Sequence, residues 1–343
     1  MIPMNHDIEE ITSPRLDVEY YGADFPVDVL VKRMEEEDFI IPGFQRKYVW
    51  KENEASRFIE SLLLGLPTPA LFLARDKFSS KYLVIDGQQR LKTLKYFYKG
   101  FFPDDEKPFK LKEVENSFYG LTYSNLSPTD RRFLDNAIIH CIIISENYDP
   151  RGMFYLFERL NTTGTPLNPQ EIRNALYHGL FSNLIQNLSG NDVWKTLYGK
   201  SDNRATDQEL ILRFLAFYFN SKEYSGNMVD FLNHFMLRNI HLQVISKDEI
   251  QNVFLSTINF INSCIGSKAF YRKKLFNRLL YDSLMLLVAR ELPKGLSSPT
   301  FRRFYELLID DPHFWSLSQH STTSIKNVMS RIAYVEELYK NMH

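Results

Sequence analysis

From Arg151 onward, apolar residues recur at helical spacing almost without a break, and nothing else in the chain constrains its fold as strongly. The runs Met153–Leu160, Pro169–Leu176, Asp207–Phe219, Val229–Arg238, Ile250–Ile261, Leu275–Leu287 and Ser324–Tyr339 all read as helices. The second half is therefore expected to be a helical domain. One of these helices announces its own start. Asn168 can cap it, Pro169 suits its first position, and Glu171 stands three residues after the cap.

The first half has a different rhythm. Val27–Glu37 has helical spacing, with Val27, Leu30, Val31 and Met34 on one face. Phe39-Ile40-Ile41-Pro42 reads as a short strand. Ala55–Leu64 is a helix with Phe58, Ile59, Leu62 and Leu63 inward; Gly65 stops it, and Pro67 and Pro69 keep it from resuming. Ala70–Ala74 and Tyr82–Ile85 read as strands of a hairpin, and a helix follows from Gly87 to about Lys99. Strand, helix, strand, strand, helix predicts a compact α+β unit. Residues 8–25 read as a polar lead-in and 101–130 as an insertion with a long loop. Ile138–Ile144 reads as a buried strand that hides Cys141. The expected division is an α+β domain over residues 1–130 and a mostly helical domain over 131–343.

Composition removes several function classes. With 44% hydrophobic and 14% aromatic residues among 343, the chain can fill large cores. Its net charge of -1 gives no global attraction to nucleic acid or an anionic membrane, so any such contact must come from a local patch. Two cysteines, Cys141 and Cys264, exclude a disulfide framework, which fits a reducing cytoplasm. The N-terminus lacks a signal-peptide pattern, and no apolar run approaches the ~20 residues of a membrane helix. The expectation is a cytoplasmic protein with no membrane association.

The strongest chemical signal is Tyr82-Leu83-Val84-Ile85-Asp86-Gly87-Gln88-Gln89-Arg90-Leu91. An apolar strand ends in an acid and a glycine, and a helix begins at once. The first N–H groups of a helix lack intrahelical partners and carry the positive dipole end, which suits a phosphate. Gly87 allows close approach of the backbone. Arg90, in the first turn, offers a planar fork to phosphate oxygens. Gln88 and Gln89 add amides. The competing reading is an ordinary β–α turn with Asp86 as a cap and Arg90 solvated.

Two loops accompany it. Ile41-Pro42-Gly43-Phe44-Gln45-Arg46-Lys47-Tyr48-Val49-Trp50 puts Gln45 and Arg46 between a strand and a helix, where they could face the Gly87 turn. Alternatively Phe44, Tyr48 and Trp50 pack on the core and Arg46 covers them. Phe157-Glu158-Arg159-Leu160-Asn161-Thr162-Thr163-Gly164-Thr165-Pro166-Leu167-Asn168 could close over a ligand or simply connect two helices. Other signatures fail. Gly199-Lys200-Ser201 would need a glycine at Trp194 to be a Walker loop, the histidines lack metal spacing, and no Gly-x-Ser-x-Gly elbow occurs. Tyr271-Arg272-Lys273-Lys274 with Arg278 reads as a basic helix face, either solvated or a nucleic-acid contact.

Together the three motif segments resemble the N-terminal domain of the GmrSD-type restriction family, also called domain of unknown function 262. Arg204-Ala205-Thr206-Asp207-Gln208-Glu209-Leu210-Ile211-Leu212-Arg213-Phe214-Leu215-Ala216 looks like a further family segment, and the resemblance spans about residues 25–290. It implies a ParB/sulfiredoxin-like fold for the first domain, in which a Gly-x-x-Arg turn holds nucleotide phosphates; Gly87 and Arg90 match those positions. It also implies a nucleotide-hydrolysing module of bacterial anti-phage defence, often acting on modified DNA and often fused to an HNH nuclease. No His-Asn-His arrangement follows up to His343, so a nuclease is expected to come from a separate partner.

The leading expectation is thus a module that binds and hydrolyses a nucleoside triphosphate (ATP, GTP or CTP). Gly87, Arg90, Gln45, Arg46, Asn161 and Thr163 would hold the nucleotide. Asp86, Gln88 and Gln89 would act in catalysis, and Asp86 would hold Mg²⁺ or orient water. Two alternatives stay open: a non-catalytic module gripping DNA phosphate with the same turn, and a metal-dependent nuclease built on Asp86. Arg46 and Arg90 are expected on one face, with Arg90 partly exposed.

Overall fold

The computed structural model describes residues 18–41, 48–76, 81–102, 107–145, 150–160, 167–200, 204–317 and 324–342. The chain forms two compact units, Met1–Leu167 and Asn168–His343.

The first unit contains β1 (Tyr20–Pro26), α1 (Val27–Glu35), β2 (Phe39–Ile40), α2 (Glu52–Leu63), β3 (Leu71–Arg75), β4 (Tyr82–Asp86), α3 (Gln88–Lys99), α4 (Pro128–Asp135), β5 (Ile138–Ile144) and α5 (Pro150–Leu160). The sheet order is β1-β5-β3-β4-β2. β2 runs parallel to β4, β3 antiparallel to β4 and parallel to β5, and β1 antiparallel to β5. β2 and β4 therefore deliver their carboxyl ends to one edge of the sheet, and β3 begins at that same edge.

Side chains alternate across the sheet and bury both faces. Leu71, Leu73, Val84, Ile139, Cys141 and Ile143 pack with the apolar stripes of α1, α2 and α3. On the reverse face Phe72, Ile142 and Ile144 meet Tyr155 and Leu156 of α5, while Met153, Phe154 and Phe157 are buried.

This architecture corrects three expectations. The division lies after Leu167 and not near residue 130, because β5 is inserted between β1 and β3 and α5 covers the reverse face. Tyr20–Pro26 is an edge strand and not a lead-in. Residues 107–127 are not a loose insertion, since Phe109, Leu111 and Leu126 are buried in the core.

The second unit contains α6 (Pro169–Leu176), α7 (Leu180–Ser189), α8 (Asp192–Tyr198), α9 (Thr206–Asn220), α10 (Met228–Asn239), α11 (Lys247–Cys264), β6 (Tyr271–Arg272), β7 (Leu275–Phe276), α12 (Arg278–Glu291), α13 (Ser298–Asp310), α14 (Pro312–Ser316) and α15 (Ile325–Lys340). Every residue of α9 from Leu210 to Phe217 is buried, as is every residue of α12 from Leu280 to Ala289. Helices buried on all sides form the centre of such a unit. Their polar positions meet: Arg213 Nε donates to Asp282 Oδ1 at 2.8 Å. The helix expected from Leu275 starts at Arg278. Asn277 accepts hydrogen bonds from the Leu279 and Leu280 N–H groups, at 3.1 and 2.9 Å, and so caps it there. Tyr271–Phe276 is a β-hairpin and not a helix face.

Candidate functional site

β4 ends irregularly. Phe72 pairs with Asp86 but Leu73 pairs with Val84, so Ile85 is an extra residue, a bulge that re-aims the strand end. Gly87 then adopts a φ of +97°, in the left-handed region, before α3 begins. A Cβ here would lie 2.1 Å from Leu71 Cδ2 and 3.0 Å from Arg90 Nη2. Conformation and space both require glycine. As N-cap, Gly87 has no side chain to meet the first N–H groups of α3.

Arg90 is 8% exposed, which corrects the expectation of a partly solvated side chain. Its Nη2 donates to Asp86 Oδ2 at 2.9 Å and to the Ala70 carbonyl at 3.1 Å, and its Nη1 donates to the Pro69 carbonyl. Burial lowers its pKa, and the Asp86 carboxylate opposes that shift. Arg90 thus clamps the start of β3 to the end of β4. Asp86 Oδ1 is the oxygen of that carboxylate not engaged by Arg90. Burial pushes the neighbouring Cys141 thiol up to about 12, which disfavours its thiolate form.

α3 also holds the chain that leaves the first motif loop. The Val49 N–H donates to Gln89 Oε1 at 3.0 Å, and Tyr48 Oη and Thr93 Oγ1 share a hydrogen bond of 2.8 Å. Gln45 and Arg46 themselves lie outside the described residues, as do Asn161 and Thr163. Among the described residues two polar atoms here are buried and have no hydrogen-bond partner: Gln88 Oε1, and Thr68 Oγ1, next in sequence to the Pro69 carbonyl that Arg90 holds. No motif marks Thr68, Pro69 and Ala70 as part of this site. Their only local signal is the Pro-Thr-Pro run that separates α2 from β3.

Residues 27–178 match the GmrSD restriction endonuclease N-terminal domain family. Over that stretch the chain is similar to a GmrSD-type N-terminal domain. No curated protein matches the chain. Among solved structures, a Pnob8-like ParB-N domain matches at 11% identity and a TM-score of 0.23, over 95% of this chain and 100% of that one. A likeness at that level carries no argument about the fold.

The matched stretch runs on into α6, where the motif residues have a structural task. Asn168 and Glu171 form the expected capping box, with Glu171 N–H to Asn168 Oδ1 at 2.9 Å and Asn168 N–H to Glu171 Oε2 at 2.8 Å. Arg204 Nη2 donates to Glu171 Oε2 at 2.9 Å. The fully buried Arg173 donates to Glu209, Gln170 and Asn233 at 3.1, 3.0 and 2.8 Å. An apolar cleft of about 480 Å³ lies under α5, walled by Tyr20, Phe72, Ile142, Tyr155 and Arg159. Neither Asp86 nor Arg90 lines it. Among the described residues no group of three or more His, Cys, Asp or Glu could hold a metal ion. No described helix is long and apolar enough to cross a membrane.

Proposed function

We propose that this chain is a nucleotide-responsive module of a restriction-like anti-phage system, acting on DNA, and that the Asp86–Arg90 turn binds the triphosphate. The observation that carries this reading is the pairing of an uncapped α3 start behind a left-handed glycine with the buried, unpartnered Gln88 Oε1. Buried amides ordinarily find partners, and a helix start of this kind attracts oxyanions. The family of residues 27–178 supplies the defence context.

In this reading the backbone N–H groups of α3 hold the phosphates, and Gln88 donates its amide to the nucleotide after rotation of the side chain. Arg90 acts at one remove. Its charge lies behind the turn while its hydrogen bonds fix the turn's shape. Asp86 Oδ1 suits Mg²⁺, which commonly takes one or two carboxylates together with substrate phosphates and so needs no cluster of acids. A hydrolytic step would draw on Asp86, Gln88 and Gln89, since phosphoryl transfer asks mainly for positioning and charge. Calorimetric titration with ATP, GTP and CTP, with and without Mg²⁺, tests the proposal. Saturable binding of one triphosphate that Gln88→Ala weakens about tenfold supports it, a change of about 1.4 kcal/mol. Absence of binding by all three sinks it.

A further inference from the structure

The β6–β7 hairpin stands on a surface that the turn does not use. Tyr271 pairs with Phe276 and Arg272 with Leu275, leaving Lys273-Lys274 as a two-residue tip. Both lysines have positive φ, +47° and +68°. A tight hairpin wants that backbone, but it ordinarily recruits Asn-Gly or Gly, whose steric demands there are small. Two lysines in succession are therefore held in strained conformations where the common solution was open, and such strain is a pointer to function.

The stem that presents them is anchored. Tyr271 Oη donates to the Tyr198 carbonyl at 2.5 Å, in contact with Gly199. The Arg272 guanidinium carbon lies 3.5 Å from the centroid of the Trp315 ring. The Asn277 N–H donates to the Phe270 carbonyl at 2.8 Å. The sequence that forms the hairpin is one-sided in charge: from Ile250 to Tyr281 it contains Lys268, Arg272, Lys273, Lys274 and Arg278 but no Asp or Glu, and the nearest acids on a packed element are Asp310 and Asp311, before the helix of Trp315. Lys273, Lys274 and Arg278 are exposed and make no ion pair among the described residues. Lys200, next to Gly199, adds to the same patch. In a chain of net charge -1, so local a concentration marks a place and not a general stickiness.

We infer that this hairpin is a contact for double-stranded DNA, which seats the two tip lysines against backbone phosphates. A two-stranded ribbon fits the major groove, whose walls are rows of phosphates. A lipid surface fits less well, because Leu275 is the one large apolar side chain exposed on the hairpin. The contact shares no residue with the Asp86–Arg90 turn, so either can fail alone.

The test is fluorescence anisotropy of the full chain with a labelled duplex over a range of salt concentrations. Lys273→Asn combined with Lys274→Gly installs the favoured turn sequence and removes two charges. The melting temperature should hold or rise, and affinity for the duplex should fall about tenfold. The slope of log K against log salt should drop by about 2, close to 0.9 for each phosphate that the protein no longer neutralises. Replacing both lysines by arginine should preserve binding, and Lys268→Gln with Arg278→Gln, which leaves the tip untouched, should weaken it. Nucleotide titrations of all three variants should match the wild type. Equal affinity and slope for the Asn-Gly variant and the wild type would overturn the inference. So would a wild-type chain that binds phosphatidylserine vesicles but no duplex.

Discussion

The Asp86–Arg90 turn and the Asn168–Arg173 helix start lie in different compact units but within the same matched stretch, and both are rich in amides and charge. They use that polarity in opposite ways. At Asn168 the hydrogen bonds close on themselves: cap to Glu171, Glu171 to Arg204, Arg173 to Glu209, Gln170 and Asn233. A closed network of this kind stiffens a fold, and a ligand could enter it only by breaking it. At the turn Arg90 makes three hydrogen bonds, but among the described residues Gln88 Oε1 and Thr68 Oγ1 are buried and without a partner, and α3 starts without a side-chain cap. Polar residues in a motif are thus structural where they satisfy one another and candidates for binding where they do not.

Mutations can break this comparison, and the largest effect belongs to the closed side. Arg173→Ala strands the buried Asn233 and the half-buried Glu209 and should cost about 3 kcal/mol, read as a lower urea midpoint. Arg90→Ala follows at about 2 kcal/mol, because it leaves Asp86 and two carbonyls without their donor. Arg90→Lys should recover only part of this, since an ammonium cannot span three acceptors as a fork does. Thermal melts of both variants beside the wild type measure it, and an Arg90→Ala chain of wild-type stability would refute the clamp. Asn168→Ala should cost about 1 kcal/mol, the usual worth of a cap, and leave nucleotide titrations unchanged. The smallest effect on stability is the most telling. Gln88→Ala removes a buried acceptor that has no partner, so it should shift stability by no more than about 0.5 kcal/mol while weakening triphosphate binding. If Gln88→Ala destabilises the chain as much as Arg90→Ala does, the turn is closed as well and the contrast disappears.

What the sequence disclosed follows from how local each feature is. Strand, glycine and helix around Gly87 are written in consecutive residues, and the capping box at Asn168 is complete within four. Arg90's burial could not be read there, because Pro69 and Ala70 lie some 20 residues upstream. β1 escaped notice because an edge strand with Tyr20 and Tyr21 exposed shows no inward-outward alternation. The β6–β7 hairpin escaped because its tip carries lysines in place of the expected turn residues, so its charge was seen but on the wrong element. The boundary was set too early because β5, read correctly as a buried strand, gave no sign of its partners.

The position of β5 has a further consequence, for the order in which the protein is made. Tyr20 finds its partner only at Ile144, and β3 borders β5 on one side, so the first strand to leave the ribosome waits for the fifth. Until then a nascent chain holds β3, β4 and β2 with the β3 edge open as well as the β2 edge, and a solitary β1. Long-range pairing of this kind slows folding and prolongs the exposure of strand edges. A fragment ending near residue 130 is expected to aggregate, whereas one that continues through α5 contains every strand of the sheet.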